Sequence, residues 1–234
     1  MSLFKLKQFD IRQDQSALKV GTDGMLLGAW VADRFREAPP RRILDVGTGT
    51  GIIALMLAQE LTASEVVGIE IDHLSAEEAR YNAEHSLFAG RVEIIEGDFC
   101  GYSSPKPIDL IVSNPPYFTP THHNSNRRET IAKHSVALSP ESFFGSCQAP
   151  AVVVIVARSV AAAYIHAAQE HGLLLAEQAA IVTKQGKAPR RYILLFRRSL
   201  TERRESRLTI LQGDGRHDYT EEYSRLLRPF LTIL

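Results

Sequence analysis

Four short apolar runs that do not alternate with polar residues constrain this chain most. Residues 42–46, 66–71, 91–96 and 108–112 each read as a strand. Continuous apolar character means burial on both faces, as in a parallel sheet lying between helix layers; a strand with one wet face would alternate. Helical spacing fills the gaps at residues 52–61 and 74–85, and a glycine-rich turn from Gly47 to Gly51 joins the first strand to its helix. A fifth strand is expected at 152–156 and a helix at 161–171. Two further runs, 179–183 and 192–196, can close the sheet as an antiparallel hairpin. The expectation is a doubly wound α/β fold with a mostly parallel, seven-stranded sheet.

Ahead of this core lies a lead-in, residues 1–40. Gly21-Thr22-Asp23-Gly24 opens a turn or helix, Met25 to Val31 continue it as an apolar stretch, and Ala38-Pro39-Pro40 break it. Residues 41–234 are expected to form one domain with this lead-in. At 44% hydrophobic and 23% charged, the composition is that of a soluble globular protein. No apolar run reaches the ~18 residues of a membrane span. MSLFKLKQFD lacks the apolar core of a signal peptide. Two cysteines, Cys100 and Cys147, are too few for a disulfide framework or a cysteine zinc site. Cytoplasmic residence and a monomer are the expectations.

The net charge of zero hides an asymmetry. Residues 45–98 hold eleven Asp/Glu against two Lys/Arg, and residues 184–207 hold nine Lys/Arg against two Asp/Glu. The second segment is either a solvated basic face or a surface for phosphate.

The chemistry gathers where strands end. Asp45-Val46-Gly47-Thr48-Gly49-Thr50-Gly51 follows the first strand. It fails the G-x-G-x-x-G spacing, because Ile52 stands sixth from Gly47, and no Gly-Lys-Ser/Thr follows as in a P-loop. An acidic residue two before G-x-G-x-G suits a cofactor with an ammonium group and no phosphate, which is the character of S-adenosylmethionine. Asp45 would then face its methionine end, directly or through water. Glu70 ends the second strand, where a carboxylate can accept ribose hydroxyls; Asp72 reads as the cap of the next helix. Asp98 and Phe99 follow the third strand and can meet an adenine amine and its ring. Asn114-Pro115-Pro116-Tyr117 follows the fourth. The Asn114 amide oxygen and the Pro115 carbonyl are two acceptors for an amine with two N–H bonds, and Tyr117 offers a stacking face. Read alone, the tetrapeptide is equally a strand-ending turn. Its place as the last of four successive strand ends argues for a site, because ligands of open α/β sheets bind beyond the carboxyl ends of the strands.

DVGTGTG, GIEID, GDF and NPPY, in this order and spacing, resemble the Rossmann-like class I methyltransferases of the Asn-Pro-Pro-Tyr group over about residues 40–157. That resemblance implies S-adenosylmethionine as cofactor and methyl transfer to a planar nitrogen. Such nitrogens are adenine N6 in DNA or RNA, guanine N2 in RNA, or glutamine in a protein. Lys19 to Trp30, Asp218 to Tyr223 and the basic loop from Lys184 to Arg191 resemble the bacterial tRNA1(Val) adenine-37 N6-methyltransferases more narrowly. This implies a tRNA substrate and places Thr22 near the methionine end of the cofactor. Residues 143–157 are shorter than in that family, which leaves the helix before the fifth strand open. Arg127, Arg128, Lys133, Lys184, Lys187, Arg190 and Arg191 are the expected phosphate contacts. His122-His123 lacks a second ligand cluster, so no metal is expected. Some 40 residues before Asp45 leave little room for the helical domain of a glutamine methyltransferase, and the length leaves little for a DNA target-recognition segment. The intact motifs disfavour a non-catalytic RNA-binding module.

Overall fold

The computed structural model describes residues 2–115, 138–199, 202–213, 215 and 217–232. A small antiparallel pair, β1 (Leu3–Lys5) and β2 (Asp10–Arg12), precedes helix α1 (Thr22–Arg34). Then strands and helices alternate: β3 (Arg42–Val46), α2 (Ile52–Glu60), β4 (Glu65–Glu70), α3 (His73–Glu84), β5 (Val92–Glu96) and β6 (Leu110–Ser113). Beyond them come α4 (Pro140–Ser146), β7 (Ala151–Ala157), α5 (Ala161–Glu170), β8 (Leu174–Lys184), β9 (Arg191–Arg197), β10 (Arg204–Leu211) and α6 (Glu221–Leu227).

The main sheet runs β10-β8-β9-β7-β6-β3-β4-β5. β3 lies parallel to β4 on one side and to β6 on the other, with all five of its residues buried. The chain therefore winds outward from β3 through β4 to β5, then returns to β6 on the opposite flank. That reversal opens a crevice at the carboxyl ends of β3 and β6, the place where α/β sheets bind ligands. β9 runs antiparallel between β7 and β8, so the expected closing hairpin is present.

Eight strands rather than seven form the described sheet. The eighth, β10, lies parallel to β8 at the edge. Its sequence, RESRLTIL, buries Leu208 and leaves most other positions exposed or half-exposed, so it carries no apolar run to betray it. An edge strand needs one buried face at most, and charges on it discourage pairing with another chain. The β1–β2 pair is a second addition. The helix left open by the short segment at 143–157 is present as α4, a two-turn element. Ser139 caps it by accepting from the Ser142 amide at 3.1 Å, and Pro140 supplies its first turn.

Two apolar clusters flank the sheet. One gathers α1, α2 and the end of the chain around Leu26, Met56, Leu57 and Phe230. The other gathers α4 and α5 around Phe143, Phe144, Phe196 and Tyr164. α1 comes unusually near α2: a Cβ on Gly28 would stand 3.2 Å from Met56 Cβ and 2.9 Å from its Sδ. This close approach sets the start of α1 beside the crevice.

Candidate active site

Gly47, Gly49 and Gly51 all adopt left-handed backbone, with φ of 69°, 56° and 81°. A side chain at these positions would add steric strain, so the alternating glycines are what let the loop curl. The amides of Gly47 and Thr48 donate to the Ile69 carbonyl at 2.9 and 3.1 Å, which ties the loop to β4. A Cβ at Gly47 or Gly49 would meet nothing within 4 Å. The loop backbone therefore faces open space, a cavity of about 340 Å³ at the carboxyl ends of β3, β4, β5 and β6. Its size falls within the ~300–1,000 Å³ of small-molecule sites.

Glu70 lines the cavity. Its Oε2 accepts from the Gly49 amide at 2.9 Å, and its Oε1 accepts from Ile71 and Asp72 at 2.9 and 3.0 Å. Burial raises its pKa, against the pull of those three amides. The carboxylate thus holds the glycine loop in place, and Oε2, with a single amide donor, keeps acceptor capacity for a ligand hydroxyl. Asp72 caps α3 as expected, accepting from the Ser75 amide at 2.9 Å. Asp98 is exposed at the rim and accepts from Cys100 N at 2.9 Å; Phe99 is buried against Phe143, ring centroids 5.5 Å apart. Both line the cavity.

Asn114 and Pro115 form the fourth side, at the end of β6. Ser113 Oγ donates to the Val46 carbonyl at 2.8 Å, which locks β6 to β3 one residue before Asn114. A Cβ on Gly24, in the first turn of α1, would lie 3.9 Å from Asn114 Nδ2. The site is thus assembled from β3, β4, β6 and α1, all fixed by core packing. Pro116, Tyr117, Arg127, Arg128 and Lys133 lie outside the described residues, as do His122 and His123. Among the described residues no group of three or more His, Cys, Asp or Glu could hold a metal ion.

Two expected cofactor contacts sit differently. Asp45 is 0% exposed and is not part of the cavity wall; it lies beneath the glycine loop, where its Oδ2 accepts from Thr48 Oγ1 at 2.6 Å. Burial pushes its carboxyl up to about 7, against the Thr48 hydroxyl and the Ala54 amide at the start of α2. Its Oδ1 makes no hydrogen bond of good geometry, the Ala54 amide included. Thr48 itself lines the cavity, so Asp45 braces the glycine loop through that hydroxyl. Thr22 is exposed at the first residue of α1 and off the wall, whereas its neighbours Gly21 and Gly24 line it.

Other wall residues have no role assigned from the sequence. Ala17 to Gly21 form one side, including Leu18, which is 49% exposed. Ile71, directly after Glu70, is 42% exposed and also faces the cavity. A large apolar side chain left wet beside a cavity suits contact with a ligand ring.

The basic loop stands on the same edge. Lys184 ends β8, Arg191 begins β9, and Arg191 pairs with Ala157 at the carboxyl end of β7. Lys187 and Arg190 are exposed and Lys184 half-buried. Arg191 Nε donates to Asp23 Oδ2 at 2.8 Å, which ties the loop to the start of α1. No helix among the described residues is long and apolar enough to cross a membrane.

Comparison with known proteins bears on this arrangement. Residues 25–142 match the model of the methyltransferase small domain. A protein of Phocaeicola vulgatus named tRNA1(Val) (adenine(37)-N6)-methyltransferase is 40% identical, the match covering 97% of this chain and 96% of the relative. One of Bacteroides thetaiotaomicron with the same name is 36% identical, with the same coverage of both. In the solved structure of a predicted O-methyltransferase from Agrobacterium tumefaciens, the fold recurs with a TM-score of 0.68 at 22% identity, over 89% of this chain and 96% of that one. The solved structure shows the fold alone; near-complete coverage of both sequences by the relatives that are 36% and 40% identical carries the assignment to the family. The chain belongs to the methyltransferase small domain family, and within it to the tRNA1(Val) (adenine(37)-N6)-methyltransferases.

Proposed function

We propose that the cavity binds S-adenosylmethionine and that the protein moves its methyl group to the exocyclic N6 of an adenine in tRNA, position 37 of a valine tRNA. The single observation that carries this reading is the juxtaposition of Asn114 and Pro115 with the glycine loop across the crevice between β6 and β3. When bound, S-adenosylmethionine supplies an electrophilic methyl on a sulfonium. The residues present fit it: the glycine backbone leaves room for it, and Glu70 offers an acceptor at the end of β4. Asp98 stands at the rim and Phe99 beneath.

The adenine amine is a poor nucleophile, because its lone pair is delocalised into the purine. Asn114 Oδ1 and the Pro115 carbonyl would accept its two N–H bonds and turn the lone pair toward the methyl. Holding the reactants in line supplies much of the acceleration, and effective molarities for such positioning are large. No strong general base is required, since the proton leaves for water once the nitrogen carries the methyl. The base has to leave its stack to enter the crevice, and Tyr117 is our assignment for the face that receives it.

Lys184, Lys187 and Arg190 stand on the same sheet edge as Asn114, so a tRNA lying along that edge would meet them. Arg127, Arg128 and Lys133 are assigned to phosphate contact from the sequence alone. The reading requires neither a metal nor a second copy, and its substrate places it in the cytoplasm. Labelled-methyl transfer to total tRNA followed by nucleoside analysis tests it. N6-methyladenosine is the expected product, and N2-methylguanosine would overturn the choice of adenine.

A further inference from the structure

We propose that Glu78 on α3 is a positioning residue that builds the cofactor pocket, by holding residues 14–21 as a strap across one side of it. The proposal rests on the cavity being the S-adenosylmethionine site. Glu78 is 4% exposed, yet the partners of its carboxylate are the amides of a segment some sixty residues away. Oε1 accepts from the Asp14 and Gln15 amides at 2.7 and 3.0 Å. Oε2 accepts from the Gln15 and Ser16 amides at 3.1 and 2.7 Å and from Ser16 Oγ at 2.6 Å. Arg12 Nε stands 3.7 Å from Oε1. Three consecutive amides converging on one buried anion form a preorganised nest, and such charge-assisted bonds are the strong kind. Burial alone would raise the carboxyl; the Ser16 hydroxyl and the three amides outweigh it and hold it below the ordinary range.

Two neighbours on the same face of α3 extend the anchor. Ser75 Oγ accepts from the Ala17 amide at 3.1 Å while donating to Asp72. Asn82 exchanges two bonds of 2.9 Å with the Arg12 backbone, and its Nδ2 also donates to the Thr50 carbonyl of the glycine loop at 2.9 Å. Positions 75, 78 and 82 follow helical spacing, so one helix face supplies the anchor. Past the anchor, Ala17 to Gly21 line the cavity without belonging to any helix or strand. Of these wall residues, Ala17 is held by Ser75 of α3 and the Val20 amide donates to Gln13 Oε1 at 2.9 Å, so side chains rather than a strand ladder fix the segment where Glu78 leaves off. Leu18 is placed to close on a ligand ring, with Ile71 another exposed apolar residue of the same wall. Ligand binding and strap docking are then coupled, because each orders the same residues.

Hydrogen exchange and calorimetry on the full chain, with S-adenosylhomocysteine as probe, test this. In the wild type, saturating probe is expected to slow exchange of the amides of residues 14–17 at least tenfold. Glu78→Gln places an amide donor against amide donors and removes the charge. In that variant the same amides exchange fast, the Kd for the probe rises at least tenfold, and the KM for S-adenosylmethionine rises by more than kcat falls. Unchanged exchange of residues 14–17 on binding in the wild type would overturn the proposal even if the variant failed to fold. So would a Glu78→Gln affinity within twofold of wild type. A wild type that takes up no S-adenosylhomocysteine would instead overturn the reading of the cavity, which separates the two failures.

Discussion

Asp45 binds its proton up to about pH 7 because the fold removes water from its carboxylate and returns one good hydrogen bond, from Thr48. Its folded pKa is raised above 3.8, the ordinary value. The native state therefore holds more protons than the unfolded chain between about pH 4 and pH 7, and stability falls as pH rises through that window. At 1.36 kcal/mol per unit the full penalty above pH 7 is on the order of 4 kcal/mol. Asp45→Asn keeps the shape and removes the titration. Relative to wild type, this variant should gain roughly 2 kcal/mol of stability between pH 5 and pH 8, read by thermal melts as several degrees. A wild-type-to-variant difference that stays flat across that range would mean Asp45 is ionised throughout. Asn114 poses the complementary case, a side chain in the crevice with little part in the core. Asn114→Ala should reduce turnover at least a hundredfold while leaving cofactor affinity within a few-fold, measured by single-turnover methylation and calorimetry. Retained turnover would remove Asn114 from the chemistry. Sequence could place both residues at strand ends, since strand ends are visible as the edges of apolar runs. It could not see that Asp45 is fully buried, with its carboxylate accepting from Thr48 Oγ1 and off the cavity wall.

Among the elements, α1 shows most clearly what pattern reading leaves out. Its start within Gly21 to Gly24 and its apolar stretch from Met25 to Val31 are plain in the sequence, and the helix runs from Thr22 to Arg34; what the pattern leaves out is what holds it. Gly21 precedes it without a side-chain cap, and Asp23 in the first turn opposes the positive end of the helix dipole. The helix is held by its packing on α2, not by local signals. Gly28 lies so close to Met56 that a methyl group there would overlap both the sulfur and the Cβ. Gly28→Ala should cost about 1–3 kcal/mol of stability, the range for overpacking. Met56 Cβ belongs to a rigid helix and cannot move as the sulfur can. Combining it with Met56→Ala removes the sulfur from the overlap, so urea denaturation should find the double variant more stable than the sum of the single losses. Strict additivity would show that the two helices part without resisting. Strand β10 was invisible for the opposite reason: an edge element with one firmly buried residue leaves no periodic trace. Glu78 was invisible as well, because a glutamate on a helix reads as solvated charge until the segment it binds is seen.

At the scale of the molecule, the sheet order sorts the two charge-biased segments to opposite ends. Residues 45–98, with their excess of carboxylates, run from the end of β3 through β4 and β5; residues 184–207, with their excess of cations, run from the end of β8 through β9 into β10. Asn114 closes β6, between the two. A cationic cofactor end and a polyanionic substrate would therefore approach the same crevice from opposite flanks, each drawn by the opposite charge. This division predicts different salt responses for the two ligands. tRNA binding should weaken steeply with salt through counterion release, and cofactor binding should change little. Replacing Lys184, Lys187 and Arg190 together by alanine should lower the slope of log affinity against log salt by about 2, at roughly 0.7–0.9 for each phosphate no longer neutralised. S-adenosylhomocysteine affinity should not move. Arg191 is left out of that set because its guanidinium holds Asp23 at 2.8 Å, and removing it would disturb the start of α1 beside Asn114 as well as the RNA. Filter binding across a salt series decides the matter. An unchanged slope in the triple variant would move the phosphate surface off the β8–β9 loop, and a lowered slope with unaltered cofactor affinity would assign the two ends of the sheet to the two substrates.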